Sequence, residues 1–79
     1  MEKLKFDNDI YSTIRKNIRK YRKEKGMTSE ELSQLVDLSH DYVRQLQCKS
    51  GKGFSVDTFY RISVALGVSL DDLIEKNSD

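Results

Sequence analysis

Ile10, Ile14, Ile18 and Tyr21 recur at steps of four, four and three, with polar and mostly basic residues between them. That spacing stacks apolar side chains on one face of an α-helix. Asp9 stands where an N-cap belongs and Gly26 where a helix stops. In the next segment, MTSEELSQLV, Thr28 precedes Glu31 by three residues, the spacing of a capping box, and Leu32, Leu35 and Val36 supply the apolar face of a helix of about two turns over 29–36. Asp37 and Leu38 interrupt the pattern, and Ser39 is placed to cap a third helix over 40–48, HDYVRQLQC. The stretch KSGKGF, with Gly51 and Gly53, reads as a loop. Beyond it Ser55 caps a fourth helix whose apolar line is Val56, Phe59, Ile62, Ser63 and Leu66, closed by Gly67. Ser69 with Asp72 caps a short last helix carrying Leu70, Leu73 and Ile74. No segment has the period of a strand, and the expectation is an all-α, five-helix bundle.

Seventy-nine residues, 37% hydrophobic and without proline, suit one small domain. Residues 1–8 read as a flexible N-terminal arm, 9–76 as the domain and 77–79 as a tail. One cysteine, Cys48, closes no internal disulfide, and with the single histidine, His40, it falls short of the four ligands of a structural zinc site, so no metal and no cofactor are expected. No window resembles a membrane span, and MEKLKFDND lacks the apolar stretch of a signal peptide. A cytoplasmic protein is expected.

The net charge of +1 says little by itself, but its distribution is uneven. Arg15, Lys16, Arg19, Lys20, Arg22, Lys23 and Lys25 crowd the first helix against Glu24 alone, whereas Asp71, Asp72, Glu75 and Asp79 dominate the end of the chain. A basic stretch of this kind either attracts phosphates or forms an ordinary solvated helix face.

Rotation by 100° per residue divides the third helix in two. His40, Asp41, Arg44, Gln45 and Cys48 fall on one side, and Tyr42, Val43 and Leu46 on the other. Arginine suits the O6 and N7 edge of guanine, glutamine the N6 and N7 edge of adenine, and aspartate accepts from cytosine N4. A short helix, a tight turn and a second short helix with hydrogen-bonding residues in its first half form the helix-turn-helix arrangement, whose second helix enters the major groove. Asp41 has two readings: facing phosphates it is repelled and weakens binding, whereas meeting cytosine N4 or fixing Arg44 or Gln45 in one rotamer it adds specificity. Cys48 is either a small neutral residue or a thiol open to modification.

From IRKYRKEKGMTSEELSQLVDLSHDYVRQLQCKS to FSVDTFYRISVALGVSLDDLIE, about residues 14–75, the chain resembles the lambda-repressor and Cro-like, XRE-type helix-turn-helix domains. The resemblance implies a compact five-helix fold that binds double-stranded operator DNA, commonly as a homodimer. Residues 29–36 would be the supporting helix and 40–48 the recognition helix. It places His40, Asp41, Arg44 and Gln45 at the base-contacting positions, and Arg22, Ser29, Ser39, Tyr42, Lys49 and Lys52 at phosphates. Departures fall inside the motif. Ser29 replaces a common glutamine, Asp37 a common glycine, and Gln47 a carboxylate that would pair with Arg22, which frees that guanidinium for a phosphate or for solvent. Aspartate tolerates positive φ better than most residues, so Asp37 is compatible with the turn. Tyr42 stands at a usually small position, where it packs at the core edge or leans on the DNA backbone.

The leading expectation is a sequence-specific, repressor-like transcriptional regulator that reads a pseudo-palindromic operator as a homodimer. The alternative is a small antitoxin or adaptor that turns the same surface toward another protein. Catalysis is not expected, because one histidine supplies no Ser-His-Asp set and GKGF lacks the flanking residues of a phosphate-binding loop. No small-molecule ligand and no membrane contact are evident. Leu70, Leu73, Ile74 and Phe54 are candidates for a pairing surface, with burial in the monomer as the competing fate.

Overall fold

Two aliphatic residues one turn apart anchor each of the first four helices. The computed structural model describes residues 3–6, 9–47 and 54–76. Its elements are α1 (Ile10–Glu24), α2 (Ser29–Val36), α3 (His40–Leu46), α4 (Val56–Leu66) and α5 (Leu70–Ile74), with no strand among the described residues. Ile14 and Ile18 of α1, Leu32 and Val36 of α2, Val43 and Leu46 of α3, Ile62 and Leu66 of α4, and Leu73 of α5 form one buried cluster. Full burial of such a side chain stabilises the fold by about 1.5–3 kcal/mol. The tail at 77–79 lies outside the described residues.

Three helices end in the same way, and the endings set the turns. Gly26, Asp37 and Gly67 have φ of 64°, 57° and 67°. The residue after each, Met27, Leu38 or Val68, donates its backbone N–H to the carbonyl five residues back, on Arg22, Ser33 or Ser63. This is the Schellman arrangement. Its usual hydrophobic contact is present, because Met27, Leu38 and Val68 all pack against the core. Asp37 is the one non-glycine residue with positive φ among those described, which fits the tolerance expected of an aspartate.

Helix starts follow the hydroxyl signals. Thr28 with Glu31 and Ser69 with Asp72 form complete capping boxes, and Ser39 and Ser55 accept from the backbone N–H groups of Tyr42 and Thr58. Asp9 precedes α1 without a side-chain cap bond. Five residues make too short a helix to stand alone, and α5 is fastened at both ends. Its capping box holds the start, and Asn17 Nδ2 of α1 donates to the carbonyls of Leu73 (2.7 Å) and Glu75 (2.9 Å) at its end.

Two apolar expectations and one basic one are corrected. Leu35 is 62% exposed and Val56 78% exposed. Leu32 and Val36, four apart, take the inward line of the eight-residue α2, and Leu35 is turned away by one residue step. On α4 the inward line runs Thr58, Ile62, Leu66, with Ser63 beside it, so Val56 in the first turn lies off the core. Arg15, grouped above with the basic surface, is buried at 7% exposure. Phe54 is half-buried, meeting Tyr11 edge-on at 5.3 Å and Phe59 at 6.3 Å, and so joins the start of α1 to α4. Of the pairing candidates Leu73 is fully buried, while Leu70 and Ile74 stay partly exposed.

Candidate nucleic-acid interface

α2 and α3 are joined by Asp37, Leu38 and Ser39 alone. The left-handed Asp37 reverses the chain, Leu38 anchors the turn to the core, and the Ser39 hydroxyl accepts from the Tyr42 N–H at 3.1 Å to start α3. Arg61 of α4 steadies the turn from behind. Its Nη1 donates to the Val36 carbonyl at 3.2 Å, and its Nε pairs with Asp57 at 3.1 Å. A cation at the last carbonyls of a helix also suits the helix dipole.

The division of α3 expected from the sequence is present. His40, Asp41, Arg44 and Gln45 are exposed, Val43 and Leu46 are buried, and Tyr42 is half-buried against the core. Tyr42 therefore packs at the core edge. Arg44 Nη1 lies 3.8 Å from Asp41 Oδ1, one turn earlier, with both side chains largely in solvent. An exposed pair of this kind adds little to stability, and its effect is to bias the arginine toward one orientation. The regular helix runs to Leu46 with Gln47 as its C-cap, and the expected limit at 48 lies outside the described residues. Cys48, Lys49, Lys52 and the glycines of the loop lie outside the described residues.

Beneath the exposed face is a buried polar cluster that corrects the reading of Gln47. Its side chain is not a lost partner for Arg22. Gln47 Oε1 accepts from Arg22 Nε at 3.0 Å, and Gln47 Nε2 donates to Ser29 Oγ at 3.1 Å and to the Val43 carbonyl at 3.0 Å. Arg22 Nη1 donates in turn to the Met27 carbonyl at 2.7 Å. One amide thus ties α1, the start of α2 and α3 together, with both of its N–H groups and its oxygen used. Arg22 and Ser29 are half-buried, and the Ser29 and Ser39 hydroxyls, which accept within the protein, each retain a proton to donate outward. The signal for this cluster was present in the sequence: Gln47 follows Val43 by four residues on the inward side of α3, where an uncharged polar residue must find partners.

The opening of α2 is also set by charge. Glu31 accepts from the Thr28 backbone N–H at 3.0 Å. That bond, with a second contribution from the Thr28 hydroxyl, holds its carboxyl below the usual carboxylate range against a small opposing effect of desolvation. Among the described residues no group of His, Cys, Asp or Glu is placed to hold a metal ion, and no helix is long and apolar enough to cross a membrane.

Comparison with known proteins places this geometry. An uncharacterised HTH-type transcriptional regulator of Sinorhizobium fredii, y4dJ, is 32% identical over 66 residues, covering 84% of each chain. The clp gene regulator ClgR of Corynebacterium glutamicum is 26% identical with a TM-score of 0.75, over 81% of this chain and 67% of its own. A hypothetical transcription factor from Neisseria, NHTF, shares the fold at a TM-score of 0.80 and 24% identity, over 95% of this chain and 85% of its own. The helix-turn-helix family model matches residues 18–73, which takes in the C-terminal part of α1, all of α2, α3 and α4, and most of α5. The chain belongs to the Cro/C1-like, XRE-type helix-turn-helix family of DNA-binding transcriptional regulators.

Proposed function

We propose that the protein is a sequence-specific, non-enzymatic cytoplasmic regulator that occupies an operator in double-stranded DNA and represses by blocking a promoter. The observation that carries this reading is the two-sided α3, which exposes His40, Asp41, Arg44 and Gln45 together while Val43 and Leu46 hold it to the core. In this reading those four side chains meet base edges in the major groove. Arg22, Ser29, Ser39, Lys49 and Lys52 set the register on phosphates, with Tyr42 supporting α3 from its half-buried position. One such module covers few base pairs. A homodimer on a pseudo-palindrome, with half-sites about one helical turn apart, supplies the remaining specificity.

Titration of a mixed-sequence duplex at several salt concentrations tests the phosphate part. Several phosphate contacts make the logarithm of affinity fall steeply with the logarithm of salt, by about 0.9 per phosphate neutralised. Absence of duplex binding at low salt would overturn the proposal and leave a protein partner, in the manner of an antitoxin or adaptor, as the reading of this surface.

A further inference from the structure

The polar cluster under α3 carries a step beyond the list of contacting residues, and the step rests on the DNA-binding reading above. Gln47 is 7% exposed, yet it is neutral, and its amide is the acceptor for a half-buried guanidinium. Among the described residues no carboxylate lies within ion-pairing distance of Arg22; its partners are the Gln47 amide oxygen and the Met27 carbonyl. The guanidinium therefore keeps its full charge. It sits at the start of α2, because Met27 stands two residues before Ser29, and Ser29 accepts from the same Gln47 amide. The positive end of the α2 dipole adds to that charge. The nearest carboxylates in sequence are Glu24, exposed at the end of α1, and Glu30 and Glu31 in the exposed first turn of α2, where Glu31 is occupied by its capping box.

The amide is also the group that the packing demands. At this position Nε2 faces two acceptors, the Val43 carbonyl and Ser29 Oγ, while Oε1 faces a donor. Hydrogen bonds are directional, so a side chain with partners on three elements fixes an angle as well as a distance. Val43 and Leu46 hold α3 against the core by burial, a force that is not directional in itself.

We infer that Gln47 is the positioning residue of the interface, one that orients α3 against the start of α2 while leaving the Arg22 charge uncancelled for a DNA phosphate. Two functions reside in one side chain; both substitutions lose the Nε2 donations, and only the glutamate cancels the Arg22 charge, so the salt slope separates them. Gln47→Glu brings a carboxylate to the guanidinium and cancels its charge. Gln47→Leu keeps the charge and removes the hydrogen bonds.

The test is duplex binding by wild type, Q47E and Q47L, each confirmed folded by circular dichroism at the titration temperature. Affinity is measured on mixed-sequence DNA across a salt series and on a selected site at one salt concentration. For Q47E the salt slope is expected to fall by about one phosphate contact. For Q47L the slope is expected to stay, while the ratio of specific to mixed-sequence affinity drops about tenfold, comparable to the loss of one base-pair match. General loosening of the fold would not move a salt slope in one variant and a specificity ratio in the other. An unchanged slope in Q47E, or an unchanged ratio in Q47L, overturns the inference. If Q47E does not fold, Arg22→Gln removes the same charge, and an unchanged slope in R22Q overturns it equally. A wild-type protein that binds no duplex overturns the proposed function and this inference together; binding by wild type with both variants unaltered overturns this inference alone.

Discussion

α3 and α4 obey the same packing rule and present different chemistry to solvent. Each sinks two aliphatic residues into the common core, Val43 and Leu46 from α3 and Ile62 and Leu66 from α4. The outer side of α4 is largely apolar, with Val56, Tyr60 and Val64 exposed at steps of four around the Asp57–Arg61 pair. The outer side of α3 is a compact set of side chains able to donate and accept hydrogen bonds, namely His40, Asp41, Arg44 and Gln45. The inner sides differ as well. α4 is held mainly by burial, whereas the end of α3 is also tied by the Gln47 amide to two other helices. Burial decides whether a helix stays in place, and directional bonds decide the angle at which it is presented. A helix that reads base edges needs both.

Substitutions that separate the scaffold from the exposed side of α3 test this contrast. The largest effect is expected on α4, where Ile62→Ala opens a cavity at a fully buried position and lowers unfolding free energy by about 2–5 kcal/mol in urea denaturation. A loss below about 1 kcal/mol would mean that α4 does not carry the core. Arg44→Ala on α3 should leave stability within about 0.5 kcal/mol. Its cost falls on binding, about 1–3 kcal/mol on the preferred site with relaxed choice at one or two base pairs. Equal losses on every sequence would remove Arg44 from the reading set.

The turn between α2 and α3 offers a smaller and opposite effect. Asp37→Gly relieves a left-handed conformation at φ 57° and should raise stability by up to about 1 kcal/mol, read as an upward shift of the thermal midpoint. A lowered midpoint would mean that the aspartate side chain makes a contact worth more than the backbone relief. The smallest effect belongs to Glu31, whose carboxyl is held below 4.5 by its bonds to Thr28. A depressed carboxylate contributes stability above its unfolded value and loses it as pH falls through the folded one. Wild type should therefore exceed Glu31→Gln at neutral pH, and the gap should close in acid below about pH 4.5. A gap independent of pH would assign the effect to shape and not to charge.

Much of this architecture was legible because its signals are local. The capping boxes at Thr28 and Ser69, the hydroxyl caps at Ser39 and Ser55 and the left-handed stops at Gly26, Asp37 and Gly67 each involve residues within a few positions of one another. The two sides of α3 follow from helical period alone. What escaped depends on contacts distant in sequence. Asn17 closes α5 from 56 residues away, and Gln47 meets Arg22 across 25. Periodicity also overstated the apolar faces at Leu35 and Val56, because a short helix presents a narrow inward line whose rotation is set by its neighbours. The replacement of a carboxylate by Gln47 suggested a released Arg22, since spacing alone does not reveal that an amide oxygen serves as the acceptor.

The central claim, that the exposed side of α3 reads base sequence, is tested most directly by selecting a random double-stranded DNA pool on the purified protein and sequencing the retained fraction. Running Arg44→Ala in parallel identifies which positions that side chain reads. Enrichment of a two-fold symmetric motif with half-sites about ten base pairs apart is expected, with preference lost at one or two positions in the variant. Retention of DNA without sequence preference, or of no DNA at low and moderate salt alike, would contradict that claim.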